Sequence, residues 1–266
     1  GLSARNLGIK NANGEYIVFL DSDTIVNQNW LNILIESYIK NGDGLYQPKL
    51  IEKNNKKIVN SAGNMINIFG FGFSRGKGES DIGQYEQFQT ISYTSGACTF
   101  SSSKIIKKIG EIDEIFFAYH DDLDYGWRGW NLGIPSNYEP KSIVYHLGSP
   151  TLKWSNKKFF YLERNRWICL LSLYSTKTQI KIFPFLIILE IGVFFYLLSK
   201  GYGKSKLLSF GSLIKNWKKI QKRKKEILKI KINEDEKIIK NFVNDYEIPS
   251  TIQDKKSQNM QKRIIK

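Results

Sequence analysis

Gly14-Glu15-Tyr16-Ile17-Val18-Phe19-Leu20-Asp21-Ser22-Asp23 is the stretch that decides the fold. Gly14 punctuates a turn, Tyr16–Leu20 is an apolar run of buried-strand length, and two carboxylates two residues apart follow it directly. Side chains so placed project from the C-terminal edge of a sheet, where open α/β folds bind ligands. Two hard oxygen donors with open positions suit Mg²⁺ or Mn²⁺ carrying phosphate oxygens. A bare Asp-x-Asp also serves as a helix cap or Asx turn, so the pair needs company before it means a site.

Working outward, Ser3–Asn11 predicts a short helix capped by Ser3, and the helical spacing from Trp30 to Ile39 predicts another that Asn41-Gly42 stops. Leu45–Ile51 and Ile91–Tyr93 read as strands, Lys104–Ile109 and Asp121–Leu132 as helices, and Ile143–Tyr145 as a strand ending at His146. Alternation of this kind predicts an α/β sheet flanked by helices. Gly63–Gly83 holds six Gly among 21 residues without a consistent period, and predicts a mobile loop. It is not a phosphate-binding P-loop, because Phe71 stands where the first Gly belongs and Gly78 replaces the Ser or Thr.

The chain has 266 residues, 41% of them apolar, which is enough to bury a core. Residues 1–150 carry 14 basic and 16 acidic groups, while residues 151–266 carry 26 and 9, so only the second part should seek an anionic surface. Cys98 and Cys169 are too few for a disulfide scaffold or a cysteine metal site, and a reducing compartment is the default. Without a basic n-region or apolar h-region at Gly1, no signal peptide is expected, and the chain is expected to be a fragment.

After Pro150, Trp154–Tyr174 predicts an amphipathic helix, and 14 of the 17 residues Ile182–Leu198 are apolar. As a helix that run is about 26 Å long, short of a hydrocarbon core of about 30 Å, and Glu190 sits at its middle. It predicts a marginal span whose Glu190 faces protein or water, or a helix lying in one leaflet; a buried core helix is the soluble alternative. Lys200–Lys231 follows with 12 basic residues and one acid, and the last 30 or so residues are expected to fray. The domains expected are therefore 1–150, catalytic; 151–200, membrane-associated; and 201–266, a basic helical tail.

Asp121-Asp122-Leu123-Asp124 crowds three carboxylates into four residues, which raises at least one pKa and favours a general base. Good helix electrostatics, with Asp124 pairing Arg128 one turn on, explains the same letters. His146 closes a strand that reaches the same sheet edge, and His120 beside Asp121 is a second candidate for a pH-sensitive group.

Taken together, Gly1-Leu2-Ser3-Ala4-Arg5-Asn6-x-Gly8, Gly14–Asp23, Gly96-Ala97, Phe116-Phe117, Asp121-Asp122-x-Asp124-x-x-x-Arg128, Gly133 and His146 resemble the inverting glycosyltransferases of family 2, rhamnosyltransferase-like branch. The resemblance implies a GT-A (Rossmann-like) mixed sheet flanked by helices, and transfer of a sugar from a nucleotide diphosphate donor to an acceptor hydroxyl. It implies that Arg5, Asn6, Asp21, Asp23 and Gly96 bind the donor and that Asp21, Asp23 and His146 hold the divalent cation. It implies that Asp122 is the general base, oriented by Arg128. Where the family more often has Glu, this chain has Asp121, the second choice as base. The resemblance also implies that the strand and loop binding the nucleotide base precede Gly1, and that this chain alone is inactive. The acceptor is expected to be a glycan or lipid-linked, and the location the cytoplasmic face of the membrane.

Two rivals are weaker. Asp21-Ser22-Asp23-Thr24-Ile25 nearly meets the Asp-x-Asp-x-Thr motif of haloacid-dehalogenase-type phosphatases, but the Thr falls one residue early. A polyanion-binding module on the basic half would coat phosphates, yet apolar residues interleave there at helical spacing, which suits a headgroup interface better than nucleic acid. Nucleic acid is not expected as a partner.

Overall fold

The computed structural model describes residues 1–147 and 155–243. Helix α1 (Leu2–Asn11) leads into β1 (Tyr16–Leu20), β2 (Thr24–Val26), α2 (Trp30–Asn41) and β3 (Leu45–Glu52). The short strands β4 (Val59–Ser61), β5 (Asn64–Ile66), β6 (Gly72–Ser74) and β7 (Gln89–Ile91) follow, then β8 (Cys98–Ser102), α3 (Ser103–Ile109), α4 (Asp121–Asn131) and β9 (Ser136–His146). The C-terminal part is helical: α5 (Asn156–Leu173), α6 (Thr176–Ser199), α7 (Gly203–Lys215), α8 (Trp217–Ile230) and α9 (Asp235–Ile239).

The seven-stranded sheet runs β1-β8-β3-β9-β2, with β4 beside β3 and β7 beside β9. It is mixed, since β3 and β9 pair parallel while β1 and β8, and β2 and β9, pair antiparallel. The apolar run of β1 is covered on both faces as far as Phe19, and Leu20 at its end is exposed. Ile17 and Phe19 pack with Ile105, Ile109 and Tyr125 on one side, and Tyr16 and Val18 pack with Leu34, Tyr46 and Phe100 on the other.

Within the mobile loop expected at Gly63–Gly83, Asn64–Ser74 is instead the two-stranded sheet β5-β6, paired Asn64↔Ser74 through Ile66↔Gly72. Its turn is closed by Asn67, whose Oδ1 accepts from the N–H of Phe69 and of Phe71, and by Gly70 at φ 78°. Strands of three residues are too short to show a period. Helix α1 starts at Leu2 and has no side-chain cap, so Ser3 does not cap it. The strand ending at His146 begins seven residues earlier than expected, because Pro140 falls within the 140–142 bulge that β9 makes against β3.

Residues 201–243, expected as part of a basic tail, fold back onto the sheet domain. The N–H groups of Ile232 and Asn233 donate to Asn131 O, and Val243 N–H donates to Ile66 O. One core cluster joins Ile66, Phe116 and Trp127 to Ile168, Ile182, Leu186, Leu213 and Ile220. Trp127 is fully buried there, and truncating such a residue costs about 3–5 kcal/mol. The rest of the expected tail, 244–266, and the start of the expected amphipathic helix at Trp154 lie outside the described residues.

Candidate active site

Asp21 sits one residue past β1, where its N–H donates to Ala97 O at 3.0 Å and continues the β1-β8 pairing. The turn after it is closed by Thr24, whose Oγ1 donates to Asp21 O at 2.7 Å. Strand β2 then pairs Thr24 with His146, so the register itself brings Asp23 beside the imidazole. One ligand atom from each of Asp21, Asp23 and His146 lies within 4.8 Å of the other two.

The donor set of this cluster fits a divalent cation. Nδ1 of His146 lies 3.1 Å from Asn60 Oδ1, an acceptor, so the ring is held by Nδ1 and its Nε2 is the atom turned to the carboxylates. Nε2 is buried, makes no hydrogen bond, and stands 3.5 Å from Asp23 Oδ1. A buried imidazole nitrogen beside two carboxylates is a donor set that suits Mg²⁺ or Mn²⁺.

Arg5 of α1 ties this cluster to the second group of acids. Its guanidinium donates to Asp21 Oδ1 at 2.5 Å and to Gly96 O at 2.8 Å, and lies 3.8 Å from Asp121 Oδ2. Gly96 N–H donates to Asp122 Oδ2 at 3.1 Å, and Leu123 N–H to Asp122 Oδ1 at 2.8 Å. A side chain at Gly96 would have its Cβ 3.3 Å from Arg5 Nη1 and 3.6 Å from the Cβ of Asp122, so it would press on the guanidinium.

Burial, then the neighbouring charge of Asp122, pushes Asp121 up to about 7 against the opposing pull of Arg5. Burial also raises Asp122, opposed by the N–H groups of Gly96 and Leu123. The two acids therefore hold a proton more readily than free aspartates do, as a base near neutral pH requires.

The segment before them is strained. Phe117, Tyr119 and His120 all have φ between 60° and 66°, a left-handed conformation that costs each about 1 kcal/mol or more. Helix α5 holds it in place: Asn165 Nδ2 lies within 3.0 Å of the carbonyls of Phe116, Ala118 and Tyr119, and Arg164 donates to Phe116 O at 3.3 Å. The braced segment leads into the start of α4, where Asp122 meets Gly96 and Asp121 faces Arg5.

Three expectations fail here. Asn6 does not face the site: its amide clamps the backbone of Ile112, donating to the O and accepting from the N–H at 2.8 Å each. Arg128 does not orient Asp122. It donates to Asp124 Oδ2 at 2.9 Å and to the carbonyls of Ile109 and Glu111, and with Asn6 it lines a separate cleft of about 350 Å³. His120 is not pH-sensitive near neutrality, because burial and then the charge of Arg166 lower it to about 4. Asn60 and Asn165 carry no local signal in the sequence, and Arg223 stands in a basic run that does not set it apart.

Comparison with known proteins bears on this geometry. Residues 2–110 match the family model Glycosyl transferase family 2. Over 164 residues the chain is 27% identical to the pre-mycofactocin glycosyltransferase of Mycobacterium tuberculosis, covering 60% of this chain and 33% of that protein. Over 178 residues it is 26% identical to the poly-beta-1,6-N-acetyl-D-glucosamine synthase of Staphylococcus epidermidis, covering 62% and 40%. The chain thus spans about a third of the length of the first of these curated relatives. The crystal structure of GalNAc-T7 with UDP, GalNAc and Mn²⁺ superposes with a TM-score of 0.51 at 15% identity, over 67% of this chain and 35% of that one. The fold is therefore of the GT-A type: a mixed sheet flanked by helices, followed by one long apolar helix.

Proposed function

We propose that this chain is the catalytic segment of a family 2 glycosyltransferase that moves a sugar from a nucleoside diphosphate to an acceptor hydroxyl with inversion at the anomeric carbon. The observation that carries the reading is the grouping of Asp21, Asp23 and His146 at one sheet edge, joined through Arg5 and Gly96 to the raised pair Asp121 and Asp122. A cation-binding triad and a basic carboxylate at one edge are the two features that transfer from a diphosphate donor needs.

Asp21, Asp23 and His146 would hold the divalent cation, which supplies charge neutralisation for the departing diphosphate. Arg5 adds a fixed positive charge at the same edge and steadies Asp21 before the donor arrives. In the reaction the acceptor oxygen forms its bond to C1 as the bond from C1 to the diphosphate oxygen breaks, and the diphosphate leaves with the electron pair. Asp122 takes the acceptor proton while Gly96 N–H keeps its carboxylate in place. A single displacement of this kind inverts the configuration.

The relative from Staphylococcus epidermidis is named for a glucosamine polymer and the neighbour's crystal holds UDP, which supports a glycan acceptor and a nucleotide-sugar donor. The apolar α6 and the lysines after it support work at the cytoplasmic face of a membrane on a lipid-linked acceptor, since anionic lipid and basic segments meet on that side. The test is a panel of sugar nucleotides offered with Mn²⁺ or Mg²⁺ to the full-length protein that carries this chain. Nucleoside diphosphate release from one of them is expected, and none from any donor overturns the reading.

A further inference from the structure

Helix α6 is long enough to cross a bilayer, with a mean hydropathy of 2.3 over its most apolar window. Its two faces are nevertheless committed to different surroundings. Thr178, Ile182, Leu186 and Leu197 are buried, and Ile182 and Leu186 share the core of Trp127 and Phe116. Between them Glu190 is fixed into the protein: its carboxylate accepts from Arg166 at 2.5 Å and from Lys206, both of which also bind Glu163. Arg166 and Lys206 are each 1% exposed, so these four charges balance inside the fold. Raising α6 out of the domain to cross a bilayer would strip that core and leave buried charges unpaired.

The opposite face is bare and apolar. Ile180, Ile187, Ile188, Ile191, Phe195 and Leu198 fall on one stripe at helical spacing, each between 46% and 71% exposed. On α7 the exposed residues Lys204, Leu207, Leu208, Ile214 and Lys215 also share one face. Residues 191–225 contain ten basic residues and no acid. Lys206, Arg223 and Lys224 are buried and paired inside the fold, whereas Lys204, Lys215, Lys218, Lys219, Lys225 and Lys229 are exposed. Protein interfaces are depleted in lysine, whereas an apolar stripe next to exposed lysines suits the surface of an anionic bilayer.

We propose that α6 docks in the plane of one leaflet of an anionic membrane, its bare stripe among the acyl chains and the α7–α8 lysines on the headgroups, with the Glu190 ion cluster holding it flat. The inference deepens the membrane part of the reading above and rests on it. Vesicle binding is measured without donor, so its failure and a failure of sugar transfer are read separately.

The chain is mixed with sealed phosphatidylcholine vesicles with and without phosphatidylglycerol at about one lipid in three, and sedimented. At least tenfold tighter binding to the anionic vesicles is expected, weakened at least tenfold by Ile188→Glu with Ile191→Glu, and separately by Lys204→Glu with Lys215→Glu. Near-UV circular dichroism confirms that the variants stay folded, and Ile188→Gln serves if the acidic pair does not. Cysteines placed at Lys177 and Ser199, at the two ends of α6, are then labelled with a membrane-impermeant maleimide; the native Cys98 and Cys169 are buried. Labelling of both positions from outside is expected. Protection of one end until the vesicles are opened shows a crossing helix and overturns the proposal. So does the absence of vesicle binding, including its absence because the stripe is covered in a dimer of this chain.

Discussion

Nε2 of His146 stands 3.5 Å from Oδ1 of Asp23, buried and without a hydrogen bond, while the other nitrogen of the same ring is held by Asn60. If this is a cation site, Asp23→Ala should abolish metal-dependent binding of a nucleoside diphosphate, since one carboxylate and one imidazole do not offset the diphosphate charge. Asn60→Ala should weaken Mn²⁺ about 10–100-fold by freeing the ring to turn. Calorimetry with Mn²⁺ and a nucleoside diphosphate reads both, and unchanged affinity in Asp23→Ala removes it from the site.

Asp122→Asn should leave donor binding intact and lower turnover at least about a hundredfold, the scale for losing a general base. The amide keeps the shape and loses the basicity. Initial rates at saturating donor measure it, with Asp121→Asn beside it; a larger loss in the second variant exchanges the roles of the two acids.

Asp121 should leave a signature in stability against pH. Its folded-state value, about 7, lies above the unfolded value of about 3.9, so the folded state holds the proton more tightly. That contribution is fully present below about pH 4 and is lost as pH rises through about 7. In the metal-free protein, the Tm of Asp121→Asn should therefore gain on the parent between about pH 5 and pH 8. A constant difference across that range shows that Asp121 is not raised.

Arg223 crosses from α8 to bind the fully buried Asp124 and, at 2.6 Å, Asp113. Removing one partner of a buried ion pair costs about 3–5 kcal/mol, and the low end applies to Arg223→Ala because Arg128 still pairs with Asp124. Urea unfolding measures it. A change below about 1 kcal/mol would show that α8 is not anchored through this contact.

The parts of the site legible in the sequence are those in which chemistry and local period coincide. Asp21 and Asp23 follow an apolar run whose length alone marks a buried strand, and Asp121 and Asp122 open a helix of clear periodicity. What sequence does not show is the distant partner. Asn60 reaches His146 across 86 positions, from a three-residue strand with no pattern of its own. Arg128 lies one turn beyond Asp124 and binds it, so its distance from Asp122 along the chain says nothing of the direction its side chain takes. Glu190 reads as a cost in an apolar helix until Arg166 and Lys206, on two other helices, are seen around it. The hairpin β5-β6 escapes notice because its glycines serve the turn at Gly70 and the close packing of Gly72 on Leu123 and Tyr93.

Direct displacement at the anomeric carbon with Asp122 as base is read out by proton NMR of the anomeric signal during turnover of a sugar nucleotide by the full-length protein. Transfer to the acceptor with the configuration opposite to that of the donor is expected, with no product signal in the same time from Asp122→Asn. A product that keeps the donor's configuration, or one formed as fast by the variant, would contradict it.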